Sequence, residues 1–180
     1  SRENAAEIVD ASGLCLAPGF IDLTSHSDTH WTLFNVPSQE SFLRQGVTTI
    51  LGGNCGSSLA PISKPSDVEL LQKWADSSNV NINWQNVREF FAELEKHRLI
   101  LNFGTLVGHG TLRRVAGVNL SGAATYEDTE KMLYLLKLSL EDGAVGLSTS
   151  LGRGHSLGAD DEELARLLAE VKERGGLSAH

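Results

Sequence analysis

The sequence is poor in cysteine and in basic charge, and it contains no long apolar stretch. Two cysteines in 180 residues, Cys15 and Cys55, are too few for a disulfide framework. Each falls in or beside an apolar stretch, so reduced thiols are expected. No apolar run reaches the ~18 residues of a membrane span, and no charged-then-apolar leader opens the chain. Those absences lead to the expectation of a cytoplasmic protein without membrane contact. Lys and Arg number 15 against 23 Asp and Glu, a formal net charge of -8, which argues against a nucleic-acid partner because counterion release needs clustered cations. There is no internal repeat, no low-complexity tract and no serine-nucleophile motif. Gly108-His109-Gly110-Thr111 lacks the lysine of a phosphate-cradling loop.

What is present is a βα rhythm: short aliphatic or β-branched runs alternate with longer amphipathic ones, the pattern of a parallel sheet with crossover helices. Strands are expected over residues 16–23, 47–52, 100–107, 144–148 and 176–180, each nearly all apolar as buried parallel strands are. Four helices are expected. A short one follows Pro37, with Ser38 as N-cap and Gly46 as stop. Val87, Phe90, Phe91 and Leu94 recur at helical spacing, as do Leu164, Leu167, Leu168 and Val171. Asp160 and Glu163 form a capping-box variant ahead of the last helix, and residues 132–140, closed by Gly143, supply the remaining one. Glu127, Asp128, Glu130, Asp160, Asp161, Glu162 and Glu163 lie in opening turns, where negative charge suits the helix dipole. Residues 61–86, holding Pro65, Asn79, Asn81 and Asn83, read as a long loop with a helical turn at 68–75. The chain has no initiator Met, and its opening residues 1–15 read as the remnant of a preceding β-rich domain or linker.

Ala17-Pro18-Gly19-Phe20-Ile21-Asp22-Leu23-Thr24-Ser25-His26-Ser27-Asp28 carries an apolar run that stops abruptly in metal-binding residue types. In a β/α barrel the chemistry sits where strands end. His26, Cys55, His109 and His180 each fall at, or one step past, the carboxyl end of a different expected strand. Singly, a strand-end histidine is more often a hydrogen-bonded structural group, and a lone cysteine a small buried apolar one. Four of five strand ends converging on imidazole and thiolate alters that balance. Those ligand types suit zinc, and their wide spacing rules out a zinc finger. Glycines flanking Cys55 would let the backbone pass close to an ion.

Five motifs, in order, resemble the amidohydrolase superfamily, and within it the N-acyl-D-amino-acid deacylases. They are Ala17-Pro18-Gly19-Phe20-Ile21-Asp22; Gln45-Gly46-Val47-Thr48-Thr49 leading to Gly53-Asn54-Cys55-Gly56; Val107-Gly108-His109-Gly110-Thr111-Leu112-Arg113; Gly143-Ala144-Val145-Gly146-Leu147-Ser148-Thr149; and Gly175-Gly176-Leu177-Ser178-Ala179-His180. The cysteine motif selects the branch, since many other members use a carboxylated lysine as bridging ligand. The resemblance implies an α/β fold, with residues 16–180 forming the first part of a TIM-type (β/α) barrel truncated at both ends. It implies a zinc-dependent enzyme that hydrolyses the linear amide of an N-acyl-D-amino acid, a small-molecule substrate. Cys55, His180 and His26 would be zinc ligands, and His109, Ser148 and Arg153 would lie by the substrate. Bound zinc would lower the pKa of a water toward ~7 and polarise the scissile carbonyl.

Three departures qualify the resemblance. Thr24 stands where the family has the first histidine of a His-x-His pair, which weakens a second, looser metal site and leaves one tight one. Arg153 stands where the family often has a tyrosine near substrate, and it reads either as a carboxylate-binding group or as an exposed loop arginine. The family's further metal histidine, catalytic aspartate and last strands lie beyond residue 180, so this fragment alone is expected to be inactive and to self-associate through an open barrel edge. The alternative is a catalytically inactive amidohydrolase-like barrel fragment that binds a ligand or partner.

Overall fold

A computed structural model describes residues 6–69, 80–119, 121–152 and 154–179. Among these residues there are six parallel strands, all but β3 and β4 separated by helices: β1 Phe20–Asp22, β2 Val47–Gly52, β3 Asn102–Thr105, β4 Val107–Gly108, β5 Gly146–Thr149 and β6 Gly176–Ala179. The helices among these residues are α1 Thr32–Asn35, α2 Glu40–Leu43, α3 Ser66–Glu69, α4 Val87–Lys96, α5 His109–Ala116, α6 Tyr126–Glu141 and α7 Asp161–Val171, and a 3-10 turn lies at Gly154–Ser156.

Two three-stranded sheets, ordered β1-β2-β3 and β4-β5-β6, are joined by one piece of chain. The run expected as a single strand at 100–107 is broken at Leu106. Its first half pairs with β2, Ile50 opposite Phe103, and its second with β5, Gly108 opposite Ser148. Around the break, the Leu106 amide donates to the Gly52 carbonyl at 3.0 Å and the Val145 amide to the Thr105 carbonyl at 2.9 Å. Hydrogen bonding is therefore handed from one neighbour to the other without a gap, and the array reads as five strands in chain order. That sequential, all-parallel order follows from right-handed βα crossovers. Strands β2 and β6 start where the sequence places them. The first strand is shorter than residues 16–23, because pairing with β2 begins only at Phe20, opposite Val47.

Helix α2 packs against β2, α5 against β4 and β5, and α7 against β5 and β6. In α4, Val87, Phe90 and Leu94 are buried and Asn86 closes a capping box with Glu89, the Glu89 amide donating to the Asn86 side chain at 2.8 Å. Phe90 enters an aromatic cluster, 5.5 Å from the Trp84 ring and 6.1 Å from Phe103, while Phe34 stacks on Trp84 at 5.6 Å. Helix α6 begins six residues earlier than residue 132, since Thr125 and Asp128 form a reciprocal cap. Of the apolar stripe expected in α7, Leu167 and Val171 are buried and Leu164 and Leu168 half-buried, with Glu163 buried beside them. Ser38 is not the cap of the second helix. Gln39 holds that position with φ 43° and no side-chain cap bond. Helix α1, before Pro37, and helix α5 were not expected from the pattern. Helix α3, at 66–69, meets the helical turn expected at 68–75 only over residues 68–69, and the remainder of that turn lies outside the described residues.

Exposed apolar side chains gather on the two outer strands, with Phe20 64%, Leu23 63% and Leu177 49% exposed beside or within them. Among the described residues no helix is long and apolar enough to cross a membrane. The core is fixed by the aromatic cluster, so Phe90→Ala is expected to cost about 3–5 kcal/mol in urea unfolding. Truncation of the exposed Tyr134 should stay within about 0.5 kcal/mol. Equal midpoints for the two variants would contradict this placement of the core.

Candidate functional site

The carboxyl ends of β1 and β2 deliver the first two chemical groups. After β1 the chain turns through residues 23–31, kept beside β2 by the Ser25 amide, which donates to the Leu51 carbonyl at 3.1 Å. This sets His26 over the end of β2. Past β2 the loop Gly53-Asn54-Cys55-Gly56 runs with φ of 73° at Gly53, 55° at Cys55 and 73° at Gly56. A Cβ on Gly53 would stand 2.0 Å from the Leu106 carbonyl oxygen, so only glycine fits there. Cys55 has no such freedom. A left-handed conformation at a residue with a Cβ costs about 1–3 kcal/mol and persists only where its surroundings enforce it.

The surroundings do so atom by atom. The Gly53 amide donates to Asp28 Oδ2 at 2.6 Å, and the Gly53 carbonyl accepts from the Ser148 hydroxyl. The Asn54 side chain donates to the Leu51 and Ser25 carbonyls at 2.8 and 3.2 Å and accepts from the Ser178 hydroxyl at 3.4 Å. The Gly56 amide donates to Ser148 Oγ at 3.0 Å, and its carbonyl accepts from the Thr111 amide at 3.2 Å. So held, the Cys55 sulfur lies 3.7 Å from His26 Nε2, across 29 residues of sequence.

This donor pair fits a zinc ion. With Zn–S near 2.3 Å and Zn–N near 2.0–2.1 Å, two ligands at a tetrahedral angle stand roughly 3.5 Å apart, close to the observed separation. Both side chains are half-buried, open enough to be reached and sheltered enough to strengthen a charge interaction. His180 lies outside the described residues, and so does Arg153. Ser178, two positions before His180, touches Asn54 and places the end of β6 at the cysteine loop. Among the described residues, no group of three or more His, Cys, Asp or Glu side chains is arranged to hold a metal. Thr24 is exposed and its amide donates to Asp22 Oδ1 at 2.9 Å, so it adds no ligand beside Cys55.

His109 and Ser148, both read from the sequence as substrate contacts, have other partners. Ser148 is fully buried and its hydroxyl is used up by the two ends of the cysteine loop. The His109 ring is also fully buried, with Nδ1 3.0 Å from Thr149 Oγ1 and Nε2 2.5 Å from Glu163 Oε1. Facing a carboxylate, Nε2 is placed to donate to Glu163, while Nδ1 meets the Thr149 hydroxyl. Arg113, equally buried, pairs with Glu163 Oε2 and donates to the Gly122 carbonyl. As folded, neither residue offers a substrate a free polar atom.

Glu163 is the residue that sequence reasoning placed wrongly in role. Asp160 does cap α7, accepting from the Glu163 amide at 2.8 Å, but the Glu163 carboxylate turns inward instead of completing the box. The sequence signal that could have found it was the basic and imidazole pair, His109 and Arg113, one helical turn apart in α5 and lacking any acid nearby in the chain. Asp28 serves as the brace on Gly53. Burial pushes the Asp28 carboxyl above the ordinary range, against the opposing pull of the Gly53 amide and of His26. Burial also pushes Glu163 upward, yet the bonds from His109 and Arg113 outweigh it and hold this carboxyl below its usual value.

Because the folded pKa of Glu163 is depressed, its contribution to stability is full above the unfolded value of ~4.3 and is lost as pH falls through the folded one. Glu163→Gln should therefore flatten the acid limb of a urea-midpoint series between pH 6 and 3. At pH 7 it should cost about 3–5 kcal/mol, since Arg113 would be left buried without its partner. Parallel acid limbs for the two proteins would remove Glu163 from this role.

A family model described as "Amidohydrolase family" matches residues 7–179. The D-aminoacylase of Alcaligenes xylosoxydans xylosoxydans is 32% identical over 174 residues, covering 95% of this chain and 34% of the relative. A solved N-acyl-D-glutamate deacylase from Bordetella bronchiseptica, complexed with zinc and a phosphonate mimic of the tetrahedral intermediate, superposes with a TM-score of 0.76 at 32% identity, over 91% of this chain and 34% of that one. A D-aminoacylase structure described by its binuclear metal centre, with one-metal activation and second-metal attenuation, gives 0.74 at 30% identity, over 88% of this chain and 33% of that one. The chain spans about a third of the length of these relatives.

Proposed function

Because the chain belongs to the amidohydrolase family, we propose that it is the zinc-binding opening part of a deacylase that hydrolyses the amide of N-acyl-D-amino acids. One observation carries this reading. The Cys55 sulfur and His26 Nε2, from two strand ends, stand 3.7 Å apart at the separation one zinc ion would require. The family and the α/β barrel fold are common to many chemistries, so the assignment of activity rests on this pair and on the named substrates of similar proteins.

Cys55, His26 and His180 would hold the metal. When bound, zinc supplies a water acidified toward neutral pH and an electrophile for the scissile carbonyl. The protein's own part is to keep the Cys55 sulfur and the His26 ring aimed at one point. The rigid loop and the strand end fix both donors before substrate arrives, so no binding energy is needed to assemble them. Thr24 removes a ligand from a second metal position, which supports a one-metal centre in this chain. A similar D-aminoacylase, described by one-metal activation and second-metal attenuation, supports that reading. The acyl group and the side chain of the amino acid would be selected by residues around the strand ends, and the guanidinium of Arg153 suits a carboxylate.

Zinc quantification of the purified chain tests the reading. About one zinc per chain is expected, falling by tenfold or more in Cys55→Ala, since removal of one of three protein ligands abolishes tight binding. Unchanged zinc content in that variant would take the thiolate out of the site and the deacylase reading with it.

A further inference from the structure

We propose that Ser148 is a positioning residue for Cys55, its one hydroxyl pinning both ends of the cysteine loop so that the sulfur is held toward His26. This deepens the metal-centre reading above and rests on it. The Ser148 hydroxyl accepts the Gly56 amide at 3.0 Å and donates to the Gly53 carbonyl, bracketing Asn54 and Cys55 between its two bonds. These partners are 92 and 95 residues away in sequence, so the contact is made by the fold and not by a local turn.

Its location suits the task. Ser148 lies in β5, the central strand of its sheet, with Gly108 of β4 and Ser178 of β6 as ladder partners on either side. A side chain fixed by two ladders is a stiff support for a loop that must remain in a left-handed conformation. Space around it is tight: a Cβ at Gly108 would come within 2.5 Å of the Gly56 carbonyl oxygen, so loop and strand meet nearly backbone to backbone. Removing the hydroxyl leaves a buried amide and a buried carbonyl without partners, and they regain them only if the loop moves. Asp28 and Thr111 still hold the Gly53 amide and the Gly56 carbonyl, so the movement is confined to the segment that carries the sulfur.

The test uses the 180-residue chain with Cys15→Ser in every variant, so that Cys55 is the only thiol. Two quantities are read: the rate of Cys55 alkylation by iodoacetamide without metal, and cobalt(II) affinity from the thiolate-to-cobalt absorption. Ser148→Ala should alkylate roughly tenfold faster or more and bind cobalt about 10- to 100-fold more weakly, with native circular dichroism retained. Ser150→Ala, which deletes a neighbouring buried hydroxyl, should match the parent in both. Parent-like alkylation and cobalt affinity in folded Ser148→Ala would overturn the proposal. If Ser148→Ala loses its native circular dichroism, Ser148→Thr decides: slow alkylation with the hydroxyl kept supports the clamp, and alkylation as fast as in urea overturns it. A parent protein that binds no cobalt would refute the metal reading separately, and the alkylation rates would still judge the positioning role.

Discussion

The arrangement turns on a cysteine held where a cysteine is uncomfortable. Cys55 adopts φ 55° between two glycines that also have positive φ, and four separate parts of the chain hold the loop there: Asp28 after β1, Thr111 in α5, Ser148 in β5 and Ser178 in β6. Each is contributed by a different βα unit, so the loop reports on whether the whole parallel array has formed in register. A one-residue slip of β5 would turn Ser148 to the opposite face and release both loop ends at once. The thiolate's position is thus a product of sheet register, and the proposed metal chemistry inherits its precision from the ladder.

A second buried constellation supports the first from below. His109 opens α5 directly at the end of β4, and its ring is locked between Thr149 of β5 and Glu163 of α7, with Arg113 completing the charge balance. The same α5 sends the Thr111 amide to the cysteine loop. Burying an acid, a base and an imidazole together is costly unless each is satisfied, and here the bonds outweigh the desolvation of Glu163. The consequence is that α5, α7 and β5 are fixed relative to one another by directed bonds as well as by packing, which favours a unique geometry over a merely compact one.

Much of the framework was legible because parallel strands buried on both faces are written as short aliphatic runs, and β2 is found where its residues predict. The broken strand at Leu106 was not, since the same apolar run serves two neighbours and nothing in composition marks the handover. Helix α5 was hidden because His109-Gly110-Thr111 are poor helix formers; tertiary bonds to Glu163 and to the cysteine loop impose the conformation that propensity opposes. Cys55 and His26 could be picked out through the strand-end pattern and the family resemblance. The work of Ser148 and Glu163 could not, because their partners lie 92 and 54 residues away and a serine or a capping glutamate has a ready local explanation. Asp160-x-x-Glu163 shows the limit well: half of the expected cap exists, and the other half was recruited by the core.

Sulfur ligation is the most direct measure of the central claim. X-ray absorption at the zinc edge of the zinc-loaded chain should show one sulfur scatterer near 2.3 Å together with nitrogen or oxygen near 2.0 Å. A first shell made only of nitrogen and oxygen would show that the thiolate does not meet the metal, and the account of this loop as a metal-positioning device would be wrong.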